Sequence, residues 1–437
     1  MERLSSVQIG FLSMLELQKH SKTFSALFLG ICLLGCVSHT VRTVDLTPPA
    51  QSTLEISESL LLDIGVAVFD PNVPDSFEKL EESNIQTEIR RAESNYMPFF
   101  FKNLIQSTGN WGAVRVVPRE THAVDVTVSG QIVHSDGERM ILKAKVSDAR
   151  GIIWFDKVYE TLASKYAYDD IVPKEIDPYQ ATYKRLADDM LSIREQLTDS
   201  EIHEIRRTAE MKFALDFSPD AFSNHVVEIS PNNYEVRRLP ADNDPMLEQI
   251  RKIREREYLF IDTLDEYYAT FAQAMFLPYH DWRRATYDEA IAFREERNKA
   301  KSRTWVGAAA IVSGVAGQSS ADRMANYGGA VSIIGGASLV KSGIEKRANA
   351  KLHSEVLQEL GVSAETEIMP HTIELENQTL SLQGTVDEQY TELRRILKRL
   401  YLEELGQPIP VELKPEPGQS VIFTEDDDKN DEYEQSI

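Results

Sequence analysis

The sequence predicts an α+β protein: an N-terminal mixed α/β sandwich domain over 59–165, a helical region over 177–304, a glycine-zipper helical hairpin over 305–344 and a small α+β unit over 350–411. Three observations predict it. Between Leu60 and Val158, β-patterned segments surround one helical pattern. From Asp177 to Lys301, apolar residues recur every three or four positions. From Trp305 onward, glycine and other small residues recur every seven.

The first domain opens with the apolar run from Leu60 to Phe69, which reads as a buried strand. Ile85, Ile89, Ala92, Tyr96, Phe99 and Phe100 then share one helix face, with Pro98 expected to kink or split that helix. Gly109-Asn110 stops it, and Trp111 to Val117 forms a second strand. Val124, Val126 and Val128 alternate with polar residues, as in a half-buried strand. Asp136-Gly137 marks a hairpin turn. Met140, Leu142, Ala144 and Val146 alternate again, and Ile152 to Val158 returns after Gly151.

Helices follow. Tyr183, Leu186, Met190, Ile193 and Leu197 form one stripe, and Thr198 with Glu201 starts the next helix as a capping pair. The segment from Phe217 to Asp244 is proline-rich and reads as loop. Asp244-Pro245 opens a long helix that Pro278 is expected to interrupt, and Ala285 to Lys301 resumes as a charged helix. Asp242, Asp244, Arg251, Arg254 and Arg256 read as caps and ion pairs. Tyr267, Tyr268, Tyr279, Trp282 and Tyr287 read as helical core.

Gly307, Gly314, Ala321, Gly328, Gly335 and Ser342 lie seven apart, and Gly329, Gly336 and Gly343 form the neighbouring row. On a helix this is a stripe almost without side chains, so another backbone packs closely against it. Each glycine costs a helix about 1 kcal/mol against alanine, so close packing must offset the loss. The stripe reads as a close-packed hairpin or oligomer zipper, or as a segment inserting into a bilayer. Beyond it, Ile373 and Leu375 pair across Asn377-Gln378 with Leu380 and Leu382. A helix then carries Tyr390, Leu393, Leu397 and Leu400. The tail over 412–437 is acidic and reads as disordered by composition.

The chain of 437 residues has 47 basic and 70 acidic residues, a net charge of −23. Such a chain repels nucleic acid, and no basic stripe offsets this. No HExxH, GxSxG, P-loop or post-strand GxGxxG occurs, so no enzyme, cofactor or metal is expected. His203 beside Glu204 has no ligand at metal spacing. His122 and His134 flank the Val124 strand, where a shared metal is the less favoured reading.

The amino-terminal region addresses the chain. Lys19, His20 and Lys22 precede an apolar run, Phe24 to Leu34, too short to span a bilayer, and Met14 is an alternative start to Met1. The run ends in Leu33-Leu34-Gly35-Cys36, which resembles the lipobox of bacterial lipoproteins. That resemblance implies a signal peptide over 1–35, cleavage between Gly35 and Cys36, and acylation of Cys36 with diacylglycerol and palmitate-type chains. It also implies a tether over 36–58. Val37 after the cysteine implies the periplasmic face of the outer membrane. The two cysteines, Cys32 and Cys36, then leave no disulfide.

The element order over 60–162, with the opening Ile-Gly-Val-Ala-Val-Phe and the Val-Ser-Asp-Ala-Arg-Gly hairpin, resembles periplasmic domains of three envelope proteins. These are the curli-secretion lipoprotein, the lipoprotein activator of penicillin-binding proteins and the amino-terminal domain of TolB. The chain lacks the paired amphipathic hairpins of the curli pore. The expectation is a lipid-anchored, non-enzymatic structural or regulatory partner in an envelope assembly, with a protein partner and a homo-oligomer. The alternatives are a transport component whose glycine-rich segment inserts into the membrane, and a periplasmic cell-wall enzyme.

Overall fold

The computed structural model describes residues 47–52, 55–74, 76, 86–241, 243–314, 354–362, 371–375, 378–382 and 384–414. They belong to one compact unit, Val44–Ile437. After a 3₁₀ turn at Glu58–Leu60 come β1 (Ile64–Ala67), α1 (Thr87–Gln106), β2 (Val114–Val117), β3 (Val126–Ser135), β4 (Arg139–Asp148) and β5 (Ile153–Leu162). Helices α2 (Gln180–Arg194), α3 (Asp199–Phe217) and α4 (Pro219–Phe222) follow, then β6 (Val226–Ser230) and β7 (Asn233–Val236). The chain continues as α5 (Pro245–Gly314), a helical stretch at 354–362, β8 (His371–Leu375), β9 (Gln378–Leu382) and α6 (Val386–Glu404). The fold class is α+β, as the sequence predicts.

The main sheet runs β2-β1-β3-β4-β5. The central strand β1 is parallel to both neighbours, with Ile64 opposite Val114 and Val126. β3, β4 and β5 form an antiparallel meander, with Val128 opposite Val146 and Val146 opposite Phe155. Helix α1 connects the parallel strands β1 and β2, as such a crossover requires. Its Ile89, Tyr96, Met97 and Phe101 join Val66, Val128, Leu142 and Val146 in the larger core. The opposite side of the parallel half is also covered: Ala67, Val117 and Ala123 pack with Phe213 and Phe217 of α3 and Ile253 and Ile261 of α5. The antiparallel half keeps one face in water, with Lys143, Asp156 and Glu160 at the surface. On the edge strand β5, Lys157 shares the face of buried Phe155 and Tyr159 and pairs with Asp189 of α2 at 3.0 Å. Arg185 takes the Glu160 carbonyl at 2.5 Å. An inward-facing charge and an occupied carbonyl protect this edge from further strand pairing.

Pro98 does not split α1, which runs unbroken from Thr87 to Gln106. A proline has no N–H to give the carbonyl four residues earlier. Here that carbonyl, on Ser94, accepts the Phe69 N–H at 3.0 Å, so the lost helical bond becomes the tie between α1 and the end of β1. Phe69 in turn lies over Gly130 of β3, where a Cβ would collide with the ring.

Three other elements depart from expectation. Only Ile64–Ala67 of the first apolar run is strand, because the preceding residues turn at Glu58–Leu60. The proline-rich segment 217–244 contains α4 and the β6–β7 hairpin, with left-handed Asn232 at its tip. The long helix is unbroken from Pro245 to Gly314. Pro278 is tolerated because Met275, Tyr279 and Trp282 hold that stretch in the core, while the residue whose carbonyl is freed, Ala274, is exposed to water. Its start is capped as expected, with Asp244 Oδ1 accepting the N–H groups of Met246 and Leu247 at 2.9 and 3.2 Å.

Candidate functional site

Gly35 and Cys36 lie outside the described residues, as do Gly328, Gly329, Gly335, Gly336 and Gly343 and nearly all of the acidic tail. Gly307 and Gly314 are on the last turns of α5. The site the structure does define is the root of that helix, where α5 crosses the turn between β3 and β4.

Asp136-Gly137 forms that turn, and aromatic hydroxyls grip its backbone. Tyr179 Oη donates to the Asp136 carbonyl, and Tyr168 Oη donates to the Gly137 carbonyl at 2.6 Å. A Cβ on Gly137 would run into the α5 backbone at Arg283, so glycine permits this contact. Arg283 is 3% exposed and bonds both oxygens of Asp177, at 2.9 and 3.3 Å. Its guanidinium lies 4.0 Å from the Tyr279 ring centre and 5.3 Å from that of Tyr179. Burial opposes its charge, but Asp177 more than offsets this and holds Arg283 well above its ordinary value. Burial pushes Tyr168, Tyr179 and Tyr279 upward, so they stay neutral donors. Farther along, Tyr287 Oη donates to the Ala163 carbonyl at 3.2 Å, and Arg294 bonds both oxygens of buried Glu138 at 2.7 and 2.9 Å.

Beside this grip, α1, the turn and α5 enclose a cavity of about 180 Å³ lined by Arg90, Glu93, His134, Ser135, Trp282 and Glu289, among others. Trp282 Nε1 is buried without a partner among the described residues, but the charged groups of the floor are matched. Glu93 Oε1 accepts from Ser135 Oγ and Tyr279 Oη, both at 2.6 Å, and its Oε2 lies 3.1 Å from Arg90 Nε. Arg90 also donates to the Ile132 carbonyl at 3.0 Å. His134 Nε2 meets Asp136 Oδ2 at 2.7 Å. Burial pushes Asp136 up, but His134 and the N–H groups of Arg139 and Glu138 outweigh it and hold the carboxyl below its usual range. His134, Ser135 and Asp136 are consecutive, yet the Ser135 hydroxyl is spent on Glu93, so they form no nucleophile relay. The arrangement locks α1, the turn and α5 together.

His122 bonds Asp216 at 2.9 Å, away from His134 and its partner Asp136. Among the described residues no group of three His, Cys, Asp or Glu side chains is placed to hold a metal. No described helix is long and apolar enough to cross a membrane. Sequence reasoning missed Arg283, Asp177, Arg90 and Glu93. The available signal was position: Arg283 falls four residues from both Tyr279 and Tyr287, and Glu93 four from Ile89, so both charges sit on buried stripes.

Neither family models, nor curated proteins, nor solved structures match this chain.

Proposed function

We propose that the chain is an outer-membrane-anchored periplasmic lipoprotein, acting as a non-enzymatic structural or regulatory partner in a cell-envelope assembly. Acylated Cys36 is the anchor, the sheet-and-helix body is the protein-docking platform, and the glycine-rich segment drives self-association. The observation that carries this reading is the continuity of α5. The helix is rooted in the body by Arg283 and Arg294 and continues without a break to Gly314, into the glycine-rich segment. At 1.5 Å per residue, the part beyond Arg294 is about 30 Å long. A rooted helix holds its far end at a set distance and orientation, which suits presentation of a zipper surface to other copies.

Membrane fractionation of the wild type and Cys36→Ala, with chemical cross-linking, tests the proposal. The wild type is expected in the outer membrane as a cross-linked oligomer, and Cys36→Ala in the soluble periplasmic fraction. Gly307→Leu with Gly314→Leu is expected to abolish the oligomer without lowering the melting temperature. A Cys36→Ala protein that stays in the membrane through carbonate extraction would refute the anchor. It would favour instead the transport reading, in which the glycine-rich segment inserts by itself.

A further inference from the structure

A second cavity, of about 220 Å³, shares no lining residue with the one at the helix root. It is lined by Asp63, Asp125, Arg206, Arg207, Arg254 and Glu210, together with Tyr258. Asp63 and Asp125 sit just before β1 and β3, Arg206 and Arg207 on α3, and Arg254 on α5. Three guanidinium groups and three carboxylates therefore line one small space.

Their bonding shows what is left for a ligand. Arg206 gives one Nη1 to the carbonyls of Glu58 and Ser59, at 3.2 and 2.7 Å. Arg254 gives Nε and Nη2 to the Ala123 carbonyl. Arg207 is exposed and makes no hydrogen bond or ion pair among the described residues. A guanidinium has five N–H donors, so most of those here are unspent. On the acidic side, Asp63 uses Oδ1 on the Ala113 N–H at 2.9 Å, and Asp125 uses Oδ2 on the Asp63 N–H at 2.9 Å. Their second oxygens have no partner among the described residues, although Asp125 is only 3% exposed. Neither of these oxygens is sealed from solvent, so both stay open to a donor that enters the cavity.

A simple anion would meet three carboxylates here, and a simple cation three arginines. A ligand carrying both charges answers both. Guanidinium forks match phosphate oxygens, and a primary ammonium supplies the donors that Asp63 and Asp125 lack. We propose that this cavity binds a phosphate–ammonium zwitterion of the phosphoethanolamine type. Two sources share that chemistry, a membrane headgroup and the free compound. The site's place favours the headgroup. Arg206 holds the Glu58–Leu60 turn, which ends the tether from Cys36, so the cavity lies where an anchored chain enters its fold. Only this choice of source rests on the proposed anchor.

The full chain carrying Cys36→Ala, which needs no anchor, is titrated calorimetrically with phosphoethanolamine, inorganic phosphate and ethanolamine. Phosphoethanolamine is expected to bind at least about tenfold tighter than either half, the equivalent of about 1.4 kcal/mol. Arg207→Gln removes a side chain with no internal partner, so its melting temperature should match the parent while affinity falls about tenfold. Equal affinity for either half, no binding, or an indifferent Arg207→Gln would overturn the proposal. Co-sedimentation with vesicles of phosphatidylethanolamine against phosphatidylcholine assigns the source. Preference for the first, lost in Arg207→Gln, supports the headgroup, whereas binding of free phosphoethanolamine without vesicle binding overturns the headgroup and supports a soluble ligand. Failure of the anchor in the fractionation experiment leaves all these outcomes readable.

Discussion

Replacing Arg283 with methionine tests whether the helix root is held as described. The substitution keeps a similar apolar stem but removes two bonds to Asp177 and the stacking on Tyr279. Both partners are almost sealed, with side chains 3% and 2% exposed. Breaking such a pair from one side costs about 3–5 kcal/mol, because the remaining charge is left without its counterion. Asp177 retains one donor, the Tyr179 N–H at 2.8 Å, which places the expected loss near the lower end, about 3 kcal/mol. Asp177→Asn strands the arginine instead and is expected to cost a similar amount. The double variant should cost less than the sum by about 1–3 kcal/mol, as for residues in direct contact. The surface pair Arg139–Glu160, with side chains 33% and 48% exposed, is the control and should give about 1 kcal/mol or less. Urea unfolding followed by circular dichroism measures all four. A loss in Arg283→Met no larger than in Arg139→Ala, or strict additivity in the cycle, would refute the reasoning.

Pro98→Ala ordinarily stabilises a helix interior by about 3 kcal/mol. Here the restored N–H competes with Phe69 for the Ser94 carbonyl, so thermal melting should show a gain below about 1 kcal/mol, and a full gain would contradict the shared-carbonyl account. Burial pushes Asp125 up to about 6, above its unfolded value, so the native state binds the extra proton between about pH 4 and 6. Stability therefore falls as pH rises through that window. Wild type should lose roughly 2 kcal/mol relative to Asp125→Asn between pH 4 and 7 in urea titrations, and a flat difference would remove the charge penalty. Tyr390→Phe takes the 2.5 Å donor from fully buried Glu257 and leaves it only Thr121 at 3.4 Å as a hydrogen-bond donor. The urea midpoint should report a loss of about 1–3 kcal/mol, and a loss under about 0.5 would show that the bond is dispensable.

The sheet was legible in the sequence because period-2 alternation survives wherever one face is wet. Met140, Leu142, Ala144 and Val146 alternate on β4 and are all buried on one side. The caps were legible for the same local reason: Thr198 and Glu201 satisfy each other within four residues. What failed was non-local. Pro98 and Pro278 both read as breaks, yet one freed carbonyl is taken by a strand and the other belongs to an exposed residue. The β6–β7 hairpin was hidden because its strands are short and mostly unburied, so no apolar period marks them. The second cavity was beyond local reading altogether. Asp63, Arg206 and Arg254 are far apart in the chain and meet only once the sheet order and the helices packed on it are known.

The buried charges of α5 explain why a helix this long has one seat on the body. Glu257 and Arg283 are both sealed, and each is matched to a different element. Glu257 accepts from Tyr390 of α6 and lies 3.6 Å from Arg394, while Arg283 pairs with Asp177 before α2. Ile253, Ile261, Leu264, Met275 and Tyr279 are also buried, but apolar burial is non-directional and by itself sets a register less sharply. The charges set it through specific partners. A slide of one turn, about 5.4 Å, would part Glu257 from Tyr390 and Arg283 from Asp177, at about 3–5 kcal/mol for each buried charge left unpaired. That sum is comparable with the whole stability of an ordinary domain, so the seated register excludes its neighbours. The position of Gly307 and Gly314 relative to the body follows from this register, because the helix is unbroken between them and Arg283.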